Sequence, residues 1–200
     1  AYTPAEMEKL LPNFAFLSAS TDASLDQIKR AGGYAMPILR SSLNVDPMQS
    51  LLMEVALQRA GITNTKSGTW IREMAVRAMP GTSMMSRTAF AKHEEALKEV
   101  GLVDDKHQPT WFTNGVPDLI KMLTIAGDNL KKIPLTQRAG IERSLFGAQG
   151  SGALAILSDP VVQAQLKSLQ ADMPRYKSQY STFMEDYSAN SPVQQSRKAW

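Results

Sequence analysis

The side chains with the most obvious chemical potential in this sequence are His93, Glu94 and Glu95, which stand in a row, and His107, which lies close to Asp104 and Asp105. A zinc-peptidase helix needs two histidines one turn apart, so that both imidazoles reach one ion while a glutamate between them acts as base. Position 97 is leucine, so the second ligand is missing and His93 is expected at the edge of a helix core. His107 falls in a polar turn and is expected to be solvated. A weak metal contact is conceivable for His107 beside Asp104 and Asp105, but the adjacent carboxylates Asp104/Asp105 and Glu185/Asp186 point in different directions on any regular element, and nothing near them suggests a raised pKa or a substrate cleft. Glu54 is the one carboxylate inside a strongly apolar segment. A helical wheel sets it opposite Met48, Leu52 and Val55, so it is expected in solvent.

The glycine cluster Gly147-Ala148-Gln149-Gly150-Ser151-Gly152 invites comparison with a phosphate loop. It lacks the lysine that reaches the phosphates and the strand that sets such a loop's geometry. Gln149 also stands where a nucleophile elbow requires its first glycine. As a polar, glycine-rich connection between helices the cluster is expected to be a flexible hinge. No catalytic residue, cofactor site or metal-ligand set is assigned. Tyr176, Lys177 and Tyr180 superficially mix aromatic and basic residues as single-strand binders do, but a helical packing stripe is the expected role. No specific nucleic-acid motif is present.

Composition narrows the class further. Of the 200 residues, 43% are hydrophobic and 20% charged, which excludes wholesale disorder. The formal charge of +3 is too small to select a partner, and the absence of cysteine excludes disulfides and thiolate metal sites. The longest apolar run, Ala153 to Leu157, falls far short of the ~20 residues a membrane span needs. No signal peptide is visible. The chain opens at Ala1, where an initiator methionine would stand, and reads as a fragment of a longer protein.

The elements that position these residues read as helices. Thr3-Pro4-Ala5-Glu6 and Ser24 with Gln27 are capping boxes. Pro37 is expected to interrupt or shorten the second helix. Asp46-Pro47 starts a third, stopped at Gly61, and Thr65 or Ser67 caps a fourth, which ends at Pro80-Gly81. Trp70 is expected in the core or at an interface within the fold. A fifth runs from about Ser86 to Val100 and stops at Gly101 with the same Leu-x3-Gly-apolar ending. Leu102-Val103 and Thr110-Trp111-Phe112 are expected to pair as a small ribbon. Pro117 opens a helix that Pro134 ends, and Thr136 caps the next, which closes at Gly147. Asp159-Pro160 caps the last segment. There, Val162, Leu166, Leu169, Met173, Tyr176, Tyr180, Phe183 and Tyr187 alternate by four and three, a 3.5-residue period. Pro174 is expected to break or kink that helix. The fold class is all-α, an array of about eight helices with one two-stranded ribbon near residues 102–115. A helical core domain over 1–157 precedes a long or kinked C-terminal segment over 158–200.

The helix-stop series resembles the core region of phage tail tape measure proteins. In that family a helix commonly ends in Ala-Gly-Ile, and a small residue followed by Gly-Thr opens the next. Those places hold Ala60-Gly61-Ile62 and Ser67-Gly68-Thr69 here. Further on, the stop at Gly101, the excursion through Asp105 and Asn114-Gly115, the segment from Pro117 and the close at Phe146-Gly147 follow the family's order. The resemblance spans roughly Leu43 to Leu157. It implies a structural component of a phage or prophage virion tail, assembled in the host bacterial cytoplasm. The parent protein would act in tail-tube assembly, length determination and DNA delivery. Implied partners are other copies of itself and tail-tube or tail-tip proteins. The rival expectations are a bacterial helical adaptor or effector domain, and a helical hydrolase whose polar groups meet only in three dimensions. Tyr176, Tyr180, Phe183 and Tyr187 are the candidate interface, with this aromatic half of the stripe expected to project from the domain.

Overall fold

A computed structural model of the chain describes residues 3–21, 23–63, 65–80 and 87–190. Among these, the first four helices are α1 (Pro4–Ser20), α2 (Leu25–Leu43), α3 (Pro47–Arg59) and α4 (Thr65–Arg77), followed by α5 (Arg87–Glu99). A two-stranded antiparallel ribbon, β1 (Phe112–Thr113) with β2 (Val116–Pro117), then leads to α6 (Leu119–Leu130), α7 (Leu135–Leu157) and α8 (Pro160–Asn190). The fold is all-α with one small ribbon, as expected. Among the described residues no helix is long and apolar enough to cross a membrane. Ser86, Gly81 and Trp200 lie outside the described residues.

The helix starts follow local chemistry. Ser24 Oγ accepts from Gln27 N–H (3.2 Å) while Gln27 Oε1 accepts from Ser24 N–H (2.9 Å), the reciprocal pair of a capping box. Asp46 Oδ1 accepts from Met48 N–H (2.9 Å), with Pro47 at the first helical position. Asp118 does the same for α6 through Lys121 N–H (2.9 Å). That helix therefore starts at Leu119 and not at Pro117, which belongs to β2. Pro134 itself stands at the cap of α7, with no side-chain bond, so Thr136 is not the cap.

Helix α3 is the middle of the molecule. It packs against α1, α2, α4, α6, α7 and α8, and Leu51, Leu52, Met53, Val55 and Leu57 are buried on every side of it. Around it gathers one core that takes residues from every helix, including Leu166 of α8.

Three prolines fail to end their helices, Pro12 of α1 among them. Helix α2 runs through Pro37 and α8 runs through Pro174. A proline frees the carbonyl four residues back; for Pro37 that residue is the exposed Gly33, where solvent can take the bond. Packing of the inner faces on the core outweighs the lost bonds. The ribbon is also displaced. Val103 and Pro109 form only an isolated bridge, while the paired strands flank Asn114-Gly115, two residues with φ of 53° and 77°. Such a left-handed pair makes the tight turn that hairpins favour. Trp111, fully buried, meets Phe112 edge-on at 4.9 Å and anchors the ribbon on the helices.

Candidate functional site

The motif residues occupy two kinds of place, helix ends and helix crossings. Gly61 closes α3 at φ 87°, and Ile62 N–H donates back to the Leu57 carbonyl (2.9 Å). Ala60 is the capping residue there, its N–H donating to Ala56 (3.2 Å). Gly101 closes α5 in the same way at φ 72°, with Leu102 N–H donating to Leu97 (2.9 Å). Both bonds span six residues and satisfy carbonyls that a helix end leaves open.

Ser67, Gly68 and Thr69 lie in the first turns of α4. Thr69 Oγ1–H donates to the Thr65 carbonyl (2.9 Å), and Ser67 is fully buried. Gly68 is where α4 crosses α2: a Cβ added there would sit 2.8 Å from the Ala31 carbonyl oxygen. No side chain fits against a backbone at that distance, so the crossing depends on glycine.

The opposite face of α4 meets α7, and here the expected hinge is overturned. Residues 147–152 lie inside α7, which bends at Gly147 (φ 69°, ψ −179°) and resumes. That conformation is essentially restricted to glycine. Gly150 stands 3.2 Å, measured from an added Cβ, from the Met74 backbone, and Gly152 faces the Trp70 ring. The glycines are a close-packing surface, and Phe146, fully buried, pins the bend to the core. Trp70 is half-buried at this crossing, as its expected role requires.

Glu54 overturns a second expectation. It is fully buried, because α3 has no solvent side for it to occupy. Ser50 Oγ–H donates to its Oε1 (3.2 Å), while Oε2 has no partner among the described residues. Burial drives its pKa up to about 8, and the Ser50 bond only partly offsets this. The carboxyl is therefore largely protonated at neutral pH.

The histidines are structural in their surroundings. His93 is buried and its Nε2–H donates to the Arg77 carbonyl (2.9 Å), tying α5 to the end of α4. His107, with φ 58°, meets Glu94 at 3.2 Å through Nδ1. Among the described residues no group of three His, Cys, Asp or Glu side chains could hold a metal ion.

The stripe on α8 turns inward over its described length. Val162, Leu169, Met173 and Tyr176 pack on the core, and Tyr180 is half-buried. Tyr176 does not project: its ring lies 5.1 Å from that of Phe16 on α1. The side chains of Phe183 and Tyr187 lie outside the described residues.

Comparisons with protein families, with curated proteins and with solved structures find no match to this chain. What sequence reasoning missed is the neighbourhood of α4: Tyr34, Arg72 and Arg77, which the glycine crossings bring together. The available signal was the small residues of α2, α4 and α7, of which those on α7 read in the sequence as a linker.

Proposed function

We propose that this chain is the helical core region of a phage or prophage tail tape measure protein, a structural interaction module and not an enzyme. One observation supports the reading. The glycines of the motif series serve backbone architecture: Gly61 and Gly101 end helices, Gly68 sets the α2–α4 crossing, and Gly147, beside the buried Phe146, sets the bend of α7. An ordered series whose glycines serve architecture suits a protein whose work is assembly. On this reading the parent protein joins other copies of itself and tail-tube or tail-tip proteins, helps set tube length, and leaves the tube before the DNA.

The test uses the parent gene in its phage or induced lysogen. Mass spectrometry of purified tail particles should recover peptides of this chain, and an in-frame deletion of residues 43–157 should leave no normal tails in electron micrographs. Particles without these peptides, or tails of normal number and length after the deletion, would overturn the proposal.

A further inference from the structure

The two glycine crossings build something besides a tight bundle. At the α2–α4 crossing, Gly68 brings Tyr34 so close that its Cβ lies 3.4 Å from where a residue-68 Cβ would be. One turn further along α4, the Arg72 guanidinium rests over the Tyr34 ring, 5.5 Å from its centroid. At the α4–α7 crossing, Gly147 leaves the space that Glu73 and Arg77 occupy: an added Cβ would meet the Glu73 carboxylate and lie 3.2 Å from Arg77 Cζ. Arg77 Nε and Glu73 Oε1 form an ion pair at 3.2 Å. Between these groups, with Val76 and Gln149 completing the walls, is a groove of 340 Å³.

We propose that this groove binds a carboxylate side chain of a partner protein, and that Arg72 is its principal contact. The proposal rests on the reading of the chain as an assembly module and supplies the chemistry of one contact. Arg72 has no carboxylate partner among the described residues, yet a cation–π contact with the Tyr34 ring restrains its guanidinium. A guanidinium oriented in advance is suited to bidentate bonding of a carboxylate, and loses less freedom on binding than a lysine would. Arg77 is half-committed, since Glu73 holds its Nε and leaves the outer nitrogens. The Gln149 amide is a further donor.

The same wall discriminates between anions. Glu73 lines the groove, so two guanidiniums and one carboxylate leave a single net positive charge. That balance neutralises a monoanion and leaves a phosphate dianion with half its charge uncompensated. Val76 offers an apolar surface to the methylenes of a glutamate, which phosphate lacks. The volume corresponds to roughly ten waters at ~30 Å³ each, room for one or two inserted side chains and too little for a whole helix. The occupant is an acidic side chain presented by another protein.

The test is a titration of the labelled full chain with a blocked hexapeptide alternating glutamate and alanine, followed by NMR of arginine Nε–H and glutamine side-chain signals. Arg72, Arg77 and Gln149 should move together and saturate at millimolar peptide. The same peptide with glutamine should move none of them, and inorganic phosphate should bind at least about fivefold more weakly at equal ionic strength. Arg72→Ala should weaken the peptide about tenfold, and Arg72→Lys, which keeps the charge and loses the fork, should fall between. If Arg72→Ala disturbs the fold by circular dichroism, Tyr34→Leu replaces it: the charge stays, the stacking goes, and affinity should still drop. Equal binding of phosphate, shifts spread over all arginines, or affinity indifferent to these substitutions would overturn the site. The titration reads the groove alone and the tail-particle analysis reads the proposed function alone, so either can fail without the other.

Discussion

The indole of Trp70 lies directly against Gly152, so close that a Cβ on residue 152 would come within 2.8 Å of Trp70 Cζ3. This contact is one reason α4 and α7 can cross at glycine distance. Gly152→Ala should therefore destabilise the chain by about 1–3 kcal/mol, because the ring or the helix must shift. Trp70→Ala alone should cost about 2–4 kcal/mol through lost packing of a half-buried ring. Together they should cost less than their sum by at least ~1 kcal/mol, since removing the ring relieves the clash. Chemical denaturation of the four proteins closes the cycle, and strict additivity would show that the two residues do not share a contact.

Gly61 and Gly101 share a conformation but not a setting. Around Gly61 a Cβ would meet nothing within 4 Å, whereas at Gly101 it would sit 2.5 Å from Asn129 Nδ2. Asn129 Nδ2–H donates to the Val100 carbonyl (3.0 Å), a bond that the intrusion would break. Gly61→Ala should cost only the backbone strain, about 1–2 kcal/mol. Gly101→Ala should cost about 1 kcal/mol more, the worth of one hydrogen bond. Thermal melts measured side by side test the ranking; equal shifts would mean Asn129 gives way freely.

Glu54 gives stability a pH dependence whose sign can be worked out. Its carboxyl titrates at about 8 in the fold against an ordinary value of 4.5. Between those values the folded chain holds a proton that the unfolded chain has lost, so its contribution is complete below pH 4.5 and drains away as pH rises to 8. The slope is about 1.4 kcal/mol per pH unit, a few kcal/mol in all. Glu54→Gln should remove this component, so the difference between variant and parent should grow in the variant's favour from pH 5 to pH 9. Urea denaturation at those two values and at pH 7 is the measurement. A constant difference would show that Glu54 does not change protonation on unfolding.

The Phe16–Tyr176 contact changes what removal of the C-terminal stripe does. Truncation after Met173 takes away Tyr176 and uncovers Phe16, which is buried on α1. The truncated chain should melt several degrees lower, consistent with a loss of about 1–3 kcal/mol for one aromatic partner. Tyr176→Ala in the full chain should reproduce most of that loss. Sedimentation of all three then separates folding from association, and an unchanged melting temperature would assign the stripe wholly to contacts outside the domain.

The parts of this fold that are legible in the sequence are those written in a few consecutive residues. The endings at Gly61 and Gly101 and the Ser24–Gln27 box depend on one turn of backbone, so the residues that make them are neighbours in the chain. Glu54 is illegible for the opposite reason. A helical wheel assigns one face to solvent, and α3, enclosed by six other helices, has none. The glycines of residues 147–152 mislead similarly, because glycine serves loose linkers and close crossings alike, and only α4 on the other side decides. The ribbon is displaced because the left-handed turn at Asn114-Gly115 outweighs the aromatic content of the segment before it.

The meeting of Phe16 and Tyr176 also fixes how far the polypeptide travels. About 160 positions separate the two rings, which stand 5.1 Å apart; drawn out as one continuous helix, the same stretch would reach ~240 Å at 1.5 Å per residue. While α1 and α8 hold together, this segment adds almost nothing to the contour of any chain that contains it. That length becomes available only if the whole core comes apart, because α2, α3, α4 and α7 pack on one another independently of the two outer helices; until then the two rings hold the ends of the segment at one point.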